Sequence, residues 1–279
     1  MKIPLQQTQW HGIDLVRLAA DIGHDFRKLP DGRFFEAFYN KLFANGQKLE
    51  LSQSFVENKR ELAHKFGQLL DKCSTRDASI LSVGVGPGVA EAYLINDGWK
   101  VDLQECQKTS IEYFIHAYKN LLYQARIYYS EDMTDIDSEK YHVVICSIMS
   151  HHLSLDIVEK VLASVRRILK PDGVFIWCDI PLTWHELYQY SKFYIYNHLY
   201  RVPYERNGIF WGWKRSISVW HNLAKQNGFD LLEQVYLDSK TREFINPPHY
   251  FGTAFGKNIA EQITVYKKAR PWPAKGLDK

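Results

Sequence analysis

An α/β fold with a mostly parallel sheet of seven strands, covered by helices on both faces, is predicted for most of this 279-residue chain. From Ser79 onward, short apolar runs alternate with helical segments, which is the pattern of βα units in a parallel sheet. A glycine-rich turn follows the first run, and a Lys-Pro-Asp-Gly stop precedes the fifth. The predicted strands are Ile80–Val83, Lys100–Gln104, Ile127–Tyr129, Val143–Ser147, Gly173–Cys178, Leu231–Leu237 and Ile263–Lys267.

Composition places the chain among ordinary globular proteins. The hydrophobic fraction is 46% and the charged fraction is 24%, which allows a sizeable core without disulfides. The longest apolar runs are far shorter than the roughly 20 residues of a membrane-spanning helix, so we expect no membrane partner. The first residues lack the apolar run of a secretory signal, which predicts a cytoplasmic protein.

Charge and cysteine usage exclude two further classes. The net charge is +3 and both signs are mixed along the chain, so no basic block indicates a nucleic-acid partner. The cysteines form no CxxC pair, so neither a metal site nor a redox motif is predicted. They are Cys73, Cys106, Cys146 and Cys178.

Residues 1–75 are predicted to form a helical N-terminal cap, and residues 76–279 the main domain. Apolar and aromatic residues recur at helix spacing between Phe34 and Phe43, after Asp31 as a start signal. A second helix is predicted to begin at Ser54, where Ser54 and Glu57 have capping-box spacing. The aromatic stripe either packs against the main domain, which is the commoner case, or covers a substrate.

A second aromatic segment, at about 180–213, is predicted to be a lid-like insertion after the fifth strand. It is crowded with tyrosine, tryptophan and phenylalanine, and ordinary packing and a lid are equally compatible with that composition. A later segment, Asn246-Pro247-Pro248-His249, is predicted to be a proline-rich turn.

The glycine-rich turn Gly84-Val85-Gly86-Pro87-Gly88 lets the backbone approach a ligand, and the helix that follows offers free N–H groups. Its spacing is GxGxG, whereas the dinucleotide fingerprint is GxGxxG and would need glycine at Val89. The second strand ends at Glu105, whose carboxylate can accept hydrogen bonds from both hydroxyls of a ribose.

Polar residues also follow the third and fourth strands. Asp132 could accept a hydrogen bond from an adenine amino group, and Met133 could cover the ring. Ser147 ends the fourth strand, and His151 and His152 follow it at the edge where open α/β sheets bind ligands.

In this order, these motifs resemble the class I, Rossmann-like S-adenosylmethionine-dependent methyltransferases over roughly residues 76–179, with a continuation to residue 268. The resemblance implies S-adenosylmethionine as the cofactor. It implies that Gly84, Gly86 and Gly88 line the methionine and ribose part, that Glu105 holds the ribose, that Asp132 and Met133 hold the adenine, and that Ser147 lies beside the sulfonium. Ser82 departs from the family, which usually carries an acidic residue there.

The function expected is methyl transfer to a small-molecule acceptor, with a sugar or natural-product hydroxyl preferred and an amine or carboxylate left open. A hydroxyl acceptor needs a base, so His151 and His152 are the candidate catalytic residues, with His185 next. An NAD(P)-dependent oxidoreductase and a non-catalytic cofactor-binding relative are the alternatives. The sequence leaves open whether the protein is a monomer or a homo-oligomer.

Overall fold

The computed structural model describes residues 2–43, 51–202, 207–245 and 259–269. The first elements are β1 (Lys2–Gln7), β2 (Gln9–Trp10), β3 (Ile13–Asp14), α1 (Leu15–Ile22), α2 (Gly32–Phe43) and α3 (Gln53–Cys73). The βα units are β4 (Ser79–Val83), α4 (Val89–Asn96), β5 (Lys100–Gln104), α5 (Lys108–Ala117), β6 (Ile127–Tyr128), β7 (Tyr141–Ser147), α6 (Leu155–Ile168) and β8 (Leu169–Asp179). The remaining elements are α7 (Trp184–Tyr200), β9 (Ile209–Arg215), α8 (Ile217–Gln226), β10 (Phe229–Asp238), β11 (Phe244–Ile245) and β12 (Ile259–Lys268).

The central sheet has the strand order β11-β10-β12-β8-β7-β4-β5-β6. The strands from β4 to β8 run parallel, whereas β12, β10 and β11 continue the sheet in antiparallel fashion. The predicted α/β class with a mostly parallel sheet is thus confirmed. The described part of the sheet has eight strands where seven were predicted, because the two-residue strand β11 pairs with the end of β10.

Successive side chains of β4 point to opposite faces of the sheet, and the core has one layer on each face. Ile80 packs on one face with Leu62 and Phe66 of α3, whereas Leu81 packs on the other face with Leu162 of α6. All five side chains are at most 1% exposed. Burying such a side chain stabilises the fold by about 1.5 to 3 kcal/mol, so the helices on both faces fix the sheet.

The prediction of a purely helical cap over residues 1–75 is wrong for residues 2–14, which form β1, β2 and β3. Strand β1 pairs antiparallel with β9, whose partner residues lie about two hundred positions away, as in Ile3 with Lys214. Helix α3 belongs to the main-domain core rather than to a separate cap. Its N-cap is Ser52, which accepts a hydrogen bond from the Phe55 N–H, so the predicted start at Ser54 is two residues late.

The N-terminal extension and the insertion share one small core. Leu15 and Phe34 of the extension pack with Ile209 and Trp211 of β9, and all four are at most 3% exposed. Helix α7 differs, because none of its residues is buried. Its exposed large side chains include Trp184, Tyr188, Tyr194, Tyr196 and Tyr200. Within the described part of the aromatic insertion, it is thus β9 that shares a buried core with the extension.

Among the described helices, none combines the length and the apolar character that crossing a bilayer requires. The predicted turn at 246–249 lies outside the described residues.

Candidate active site

Four neighbouring strands place the predicted site residues at one edge of the sheet. Strands β5, β4, β7 and β8 are adjacent and parallel, so their carboxyl ends lie together. The chain crosses in opposite directions after β4 and after β7, which makes this edge the topological switch point where open α/β sheets bind ligands. Gly84, Glu105, Ser147 and Asp179 follow or end these four strands.

The glycine turn after β4 depends on glycine at three positions, and Gly88 is one of them, with a φ of 66°. Gly84 and Gly86 have φ of 67° and 55°, a region that side chains rarely adopt. A Cβ on Gly84 would lie 2.7 Å from Cγ of Met149. Its N–H donates to the backbone oxygen of Gln104 at 2.9 Å, so the turn is attached to β5. Gly88 completes the turn as the N-cap of α4.

Glu105 joins that turn to the end of β5. Its carboxylate is 7% exposed and accepts the Gly86 N–H at 2.8 Å and the Gln107 N–H at 2.8 Å. Burial raises the pKa of Glu105, and these backbone hydrogen bonds act in the opposite direction. A carboxylate has about four acceptor positions, so it retains capacity for the hydroxyls of a ligand.

Tyr39 of α2 lies over the glycine turn and was not predicted as a site residue. A Cβ on Gly86 would lie 3.5 Å from the Tyr39 hydroxyl, and Tyr39 is 6% exposed. Burial, and then the negative charge of Glu105, raise the pKa of Tyr39. The extension therefore covers the glycine turn. The aromatic stripe on α2 was the sequence signal for this contact.

A buried acid lies beside Ser82 although β4 does not supply one. The Ser82 hydroxyl donates to Oε1 of Glu91 at 2.7 Å, and Glu91 on α4 is 4% exposed. Burial raises the pKa of Glu91, and the Ser82 hydrogen bond lowers it. The carboxyl group that the family usually carries in this strand is thus present next to it, from the first turn of the following helix.

The two residues predicted to hold an adenine are separated by the structure. Asp132 is exposed at the end of β6, and hydrogen bonds from Ser130 and Thr134 lower the pKa of its carboxyl. Met133 is 1% exposed and packs in the core with Ile136. The prediction that Met133 covers the ring is therefore corrected, because its side chain points into the core and not into the cleft.

Ser147 presents an unpaired polar atom at the end of β7. Its Oγ is buried without a hydrogen-bond partner, which is uncommon for a hydroxyl in a folded protein. Together with the Glu105 carboxylate, this hydroxyl fits a ligand with several polar groups. The residues at this edge are thus compatible with the cofactor implied by the resemblance.

Both candidate catalytic histidines lie in a 3-10 turn formed by Ser150–His152, on what we call the acceptor side because these histidines are predicted to serve the acceptor. Strand β9 passes so close to this turn that a Cβ on Gly212 would lie 2.5 Å from the His151 carbonyl oxygen. Arg215, at the end of β9, donates to the carbonyl oxygens of Ser150 at 3.1 Å and Leu153 at 2.6 Å. The insertion therefore fixes the position of both histidines.

His151 is paired with a carboxylate that sequence reasoning missed. Its Nδ1 lies 2.7 Å from Oδ1 of Asp179, and the two residues are 2% and 4% exposed. Burial acts to raise the pKa of Asp179, but His151 and Ser150 outweigh it and lower the pKa, so the carboxyl is ionised. Because a carboxylate only accepts, Nδ1 of His151 is the donor and Nε2 keeps its lone pair when the ring is neutral.

His152 lies in a different environment. Its ring packs edge-on against Phe35 of α2 at 5.9 Å and Trp211 of β9 at 5.2 Å, and its Nδ1 donates to the Trp211 carbonyl at 2.9 Å. Burial, and then the neighbouring His151, lower the pKa of His152 to about 3. The third candidate, His185, lies in the first turn of α7. The described residues contain no group of three histidine, cysteine or acidic side chains that could hold a metal ion.

The sequence of this chain was compared with protein families and with curated proteins. Residues 80–173 match the family model of a methyltransferase domain. No curated protein sequence matches the chain. The matched residues run from β4 into β8, so they include the glycine turn, Glu105, Ser147 and both candidate histidines.

Many solved structures share the fold at low sequence identity. A methyltransferase dependent on S-adenosylmethionine from Methanosarcina mazei is 14% identical, with 73% of this chain and 98% of that chain covered and a TM-score of 0.56. A candidate sarcosine dimethylglycine methyltransferase from Galdieria sulphuraria is 17% identical, with 84% and 98% covered and a TM-score of 0.54. A candidate methyltransferase from Haloferax volcanii, solved with the Trm112 activator, is 13% identical, with 86% and 97% covered and a TM-score of 0.55.

Proposed function

We propose that this chain is a class I S-adenosylmethionine-dependent methyltransferase that methylates a hydroxyl of a small molecule. Residues 80–173 match the model of a methyltransferase domain, and the fold is shared with S-adenosylmethionine-dependent methyltransferases. A sugar or natural-product hydroxyl is the acceptor class we prefer. The observation that supports a hydroxyl is the buried pair of His151 and Asp179 beside the end of β7, since an amine or a carboxylate acceptor needs no such base.

The chain's own residues divide the binding of S-adenosylmethionine among the four strand ends. Gly84, Gly86 and Gly88 admit the methionine and ribose part, and Glu105 accepts from the ribose hydroxyls. Asp132 would accept from the adenine amino group, and Ser147 would lie beside the sulfonium. When bound, S-adenosylmethionine supplies a methyl group on a positively charged sulfur, which leaves with the electron pair of the carbon–sulfur bond.

His151 is the proposed catalytic base. It takes the hydroxyl proton at Nε2, so that the freed oxygen electron pair forms the new carbon–oxygen bond. His152 is less suited, because a pKa of about 3 makes it too weak a base to hold a proton at neutral pH. Its neutral ring instead forms part of the wall with Phe35 and Trp211.

The aromatic walls exclude water from the acceptor side. Trp211 is 3% exposed, and Phe35 contacts both Trp211 and His152. A displacement reaction depends mainly on alignment of acceptor, methyl carbon and leaving sulfur in a dry site. The shared core of the extension and β9 supports such a site, because it keeps these rings in place.

The test is an acceptor screen by mass spectrometry, which measures a gain of about 14 mass units in small hydroxyl compounds with enzyme and S-adenosylmethionine present. With the acceptor identified, His151→Ala is expected to lower kcat by about 10²- to 10⁴-fold. His152→Ala is expected to lose less, and His116→Ala, an exposed histidine on α5, serves as the control. Near-normal turnover by His151→Ala would remove the proposed base, and methylation of amines alone would replace the acceptor class.

A further inference from the structure

Asp179 ends β8 directly beside the 3-10 turn that carries His151, and no role has been assigned to it so far. We propose that Asp179 is a positioning residue that fixes the tautomer and the direction of the His151 ring, so that Nε2 faces the acceptor. This inference rests on the proposed role of His151 as the base. It adds a second required group to the acceptor side.

The hydrogen bonds around Asp179 have only one consistent direction. The indole N–H of Trp177 can only donate, and it donates to the Ser150 hydroxyl oxygen at 2.8 Å. The Ser150 hydroxyl in turn donates to Oδ2 of Asp179. Because Oδ2 is engaged in this way, Oδ1 is left to accept from His151 and from the Ile180 N–H at 2.7 Å. The carboxylate is thus held at both oxygens and cannot rotate away from the imidazole.

The surroundings keep that carboxylate ionised and the turn rigid. Arg215 of β9 is the cation that faces it, and the same side chain holds the carbonyls of the turn. The other titratable groups that face Asp179 are His152 in the turn, Cys146 of β7 and Cys178 of β8. Burial raises the pKa of both thiols, so they carry no charge that competes with the imidazole. From β12, Gln262 and Thr264 line the same small cavity as Asp179 and are uncharged.

A negative charge next to Nδ1 has two consequences for the base. It keeps the ring proton on Nδ1, which leaves the Nε2 lone pair free. It also stabilises the imidazolium that forms when Nε2 takes the hydroxyl proton. Loss of the charge should therefore weaken the base even if the ring stays in place.

The first experiment replaces Asp179 with asparagine and measures the pH profile of kcat/KM. Asp179→Asn is expected to lower kcat by at least about 10²-fold, with KM and S-adenosylhomocysteine affinity within a few-fold of the wild type. The apparent pKa of the residual activity is expected to fall, because the charge that favours the protonated imidazole is gone. Asp102→Asn is the matched control, since Asp102 of β5 is also partly buried and accepts from the Tyr141 hydroxyl at 2.6 Å, far from the base.

The second experiment needs no acceptor and leaves Asp179 unchanged. In wild-type protein labelled with ¹⁵N, the neutral His151 ring, assigned with His151→Gln, is expected to carry its proton on Nδ1. A proton on Nε2 would overturn the inference. The inference would also be overturned if Asp179→Asn kept the wild-type kcat and pH profile while His151→Ala, measured in the same assay, was inactive. Wild-type turnover by His151→Ala would instead contradict the proposed base while leaving the tautomer assignment intact.

Discussion

The cofactor side and the acceptor side of the site are built in different ways. The glycine turn, the acid at Glu91 and Glu105 lie close together in sequence and are joined by short hydrogen bonds. The acceptor side brings together α2, the turn at His151, the end of β8 and the strand β9, which lie far apart in the chain. Contacts that are local in sequence hold most of the first side, to which the extension adds Tyr39, whereas the second side depends throughout on how the extension and the insertion pack. Changes on the two sides should therefore have separable effects.

Among changes that leave the side chains of the proposed site intact, the largest effect is expected from Gly212→Ala, which acts on the acceptor side alone. The added Cβ would lie 2.5 Å from the His151 carbonyl, so either β9 or the turn must move. A displacement of about 1 Å at a catalytic group can cost about 10²-fold in rate, which is the loss of kcat expected here. Kinetics at saturating S-adenosylmethionine measure it.

The control for that change is Gly67→Ala in α3. Its Cβ would meet Trp99 Nε1 at 3.8 Å, an ordinary contact, and alanine favours a helix interior by about 0.5 to 1 kcal/mol. Unchanged kcat is expected for Gly67→Ala. Equal kcat in Gly212→Ala and the wild type would show that the position of the turn does not matter for catalysis.

The next effect concerns the cofactor side. Glu105→Ala removes the buried carboxylate that holds the Gly86 N–H, and a hydrogen bond to a charged group contributes about 1.5 to 3 kcal/mol. Calorimetry is expected to give S-adenosylhomocysteine binding that is weaker by about 10- to 100-fold. Glu112→Ala, on the exposed face of α5, is expected to bind normally. Normal affinity in Glu105→Ala would remove Glu105 from the site.

A smaller effect is expected on the protection of backbone amides from hydrogen exchange when ligands bind. Because β1 is paired with β9 and both belong to the unit that covers the acceptor side, their amide exchange should slow together. Helix α7 has no buried residue, so its exchange should change little. Hydrogen exchange with S-adenosylhomocysteine and acceptor measures both segments. Protection confined to α7 would mean that the exposed helix, and not β9, closes over the acceptor.

The smallest effect is on stability against pH. The pKa of His152 is about 3 in the folded protein and about 6.5 when unfolded, so the unfolded state binds the extra proton between those values. The contribution of the neutral His152 ring to the free energy of unfolding is fully present above pH 6.5 and is lost as the pH falls toward 3. Between pH 6.5 and 5, wild type should lose about 1 to 2 kcal/mol more unfolding free energy than His152→Gln. Equal losses of unfolding free energy by wild type and His152→Gln in denaturant titrations would mean that His152 is exposed to solvent.

The fold and the cofactor side were largely predictable from sequence. Strand β5 has the predicted bounds and helix α4 follows the glycine turn as predicted, because a buried strand and a helix after a glycine turn leave short, local patterns. Glu105 was predicted for the same reason, as the residue at the end of a strand, and its role in binding the ribose stays a prediction. Glu91 could have been found too, since it is an acidic residue in the first turn of the helix that follows the glycines.

The acceptor side was less predictable, because its contacts depend on distant partners. Nothing near Lys2 indicates that its strand pairs with Arg215, so residues 2–14 were predicted to be helical. In the sequence, Asp179 was only the residue after the predicted fifth strand, and its pairing with His151 requires β7 and β8 to be neighbours in register. Met133 failed in the opposite sense, because a motif predicted a ligand contact where packing placed the side chain in the core.

The separation of the two sides can be tested most directly by the dissociation constant of S-adenosylhomocysteine for His151→Asn. Asparagine removes the proposed base and keeps a polar side chain at the turn. Calorimetry is expected to give the wild-type constant within about twofold, in a protein whose kcat has fallen by at least about 10²-fold. A dissociation constant about tenfold higher would contradict the account, because His151 would then belong to the cofactor side.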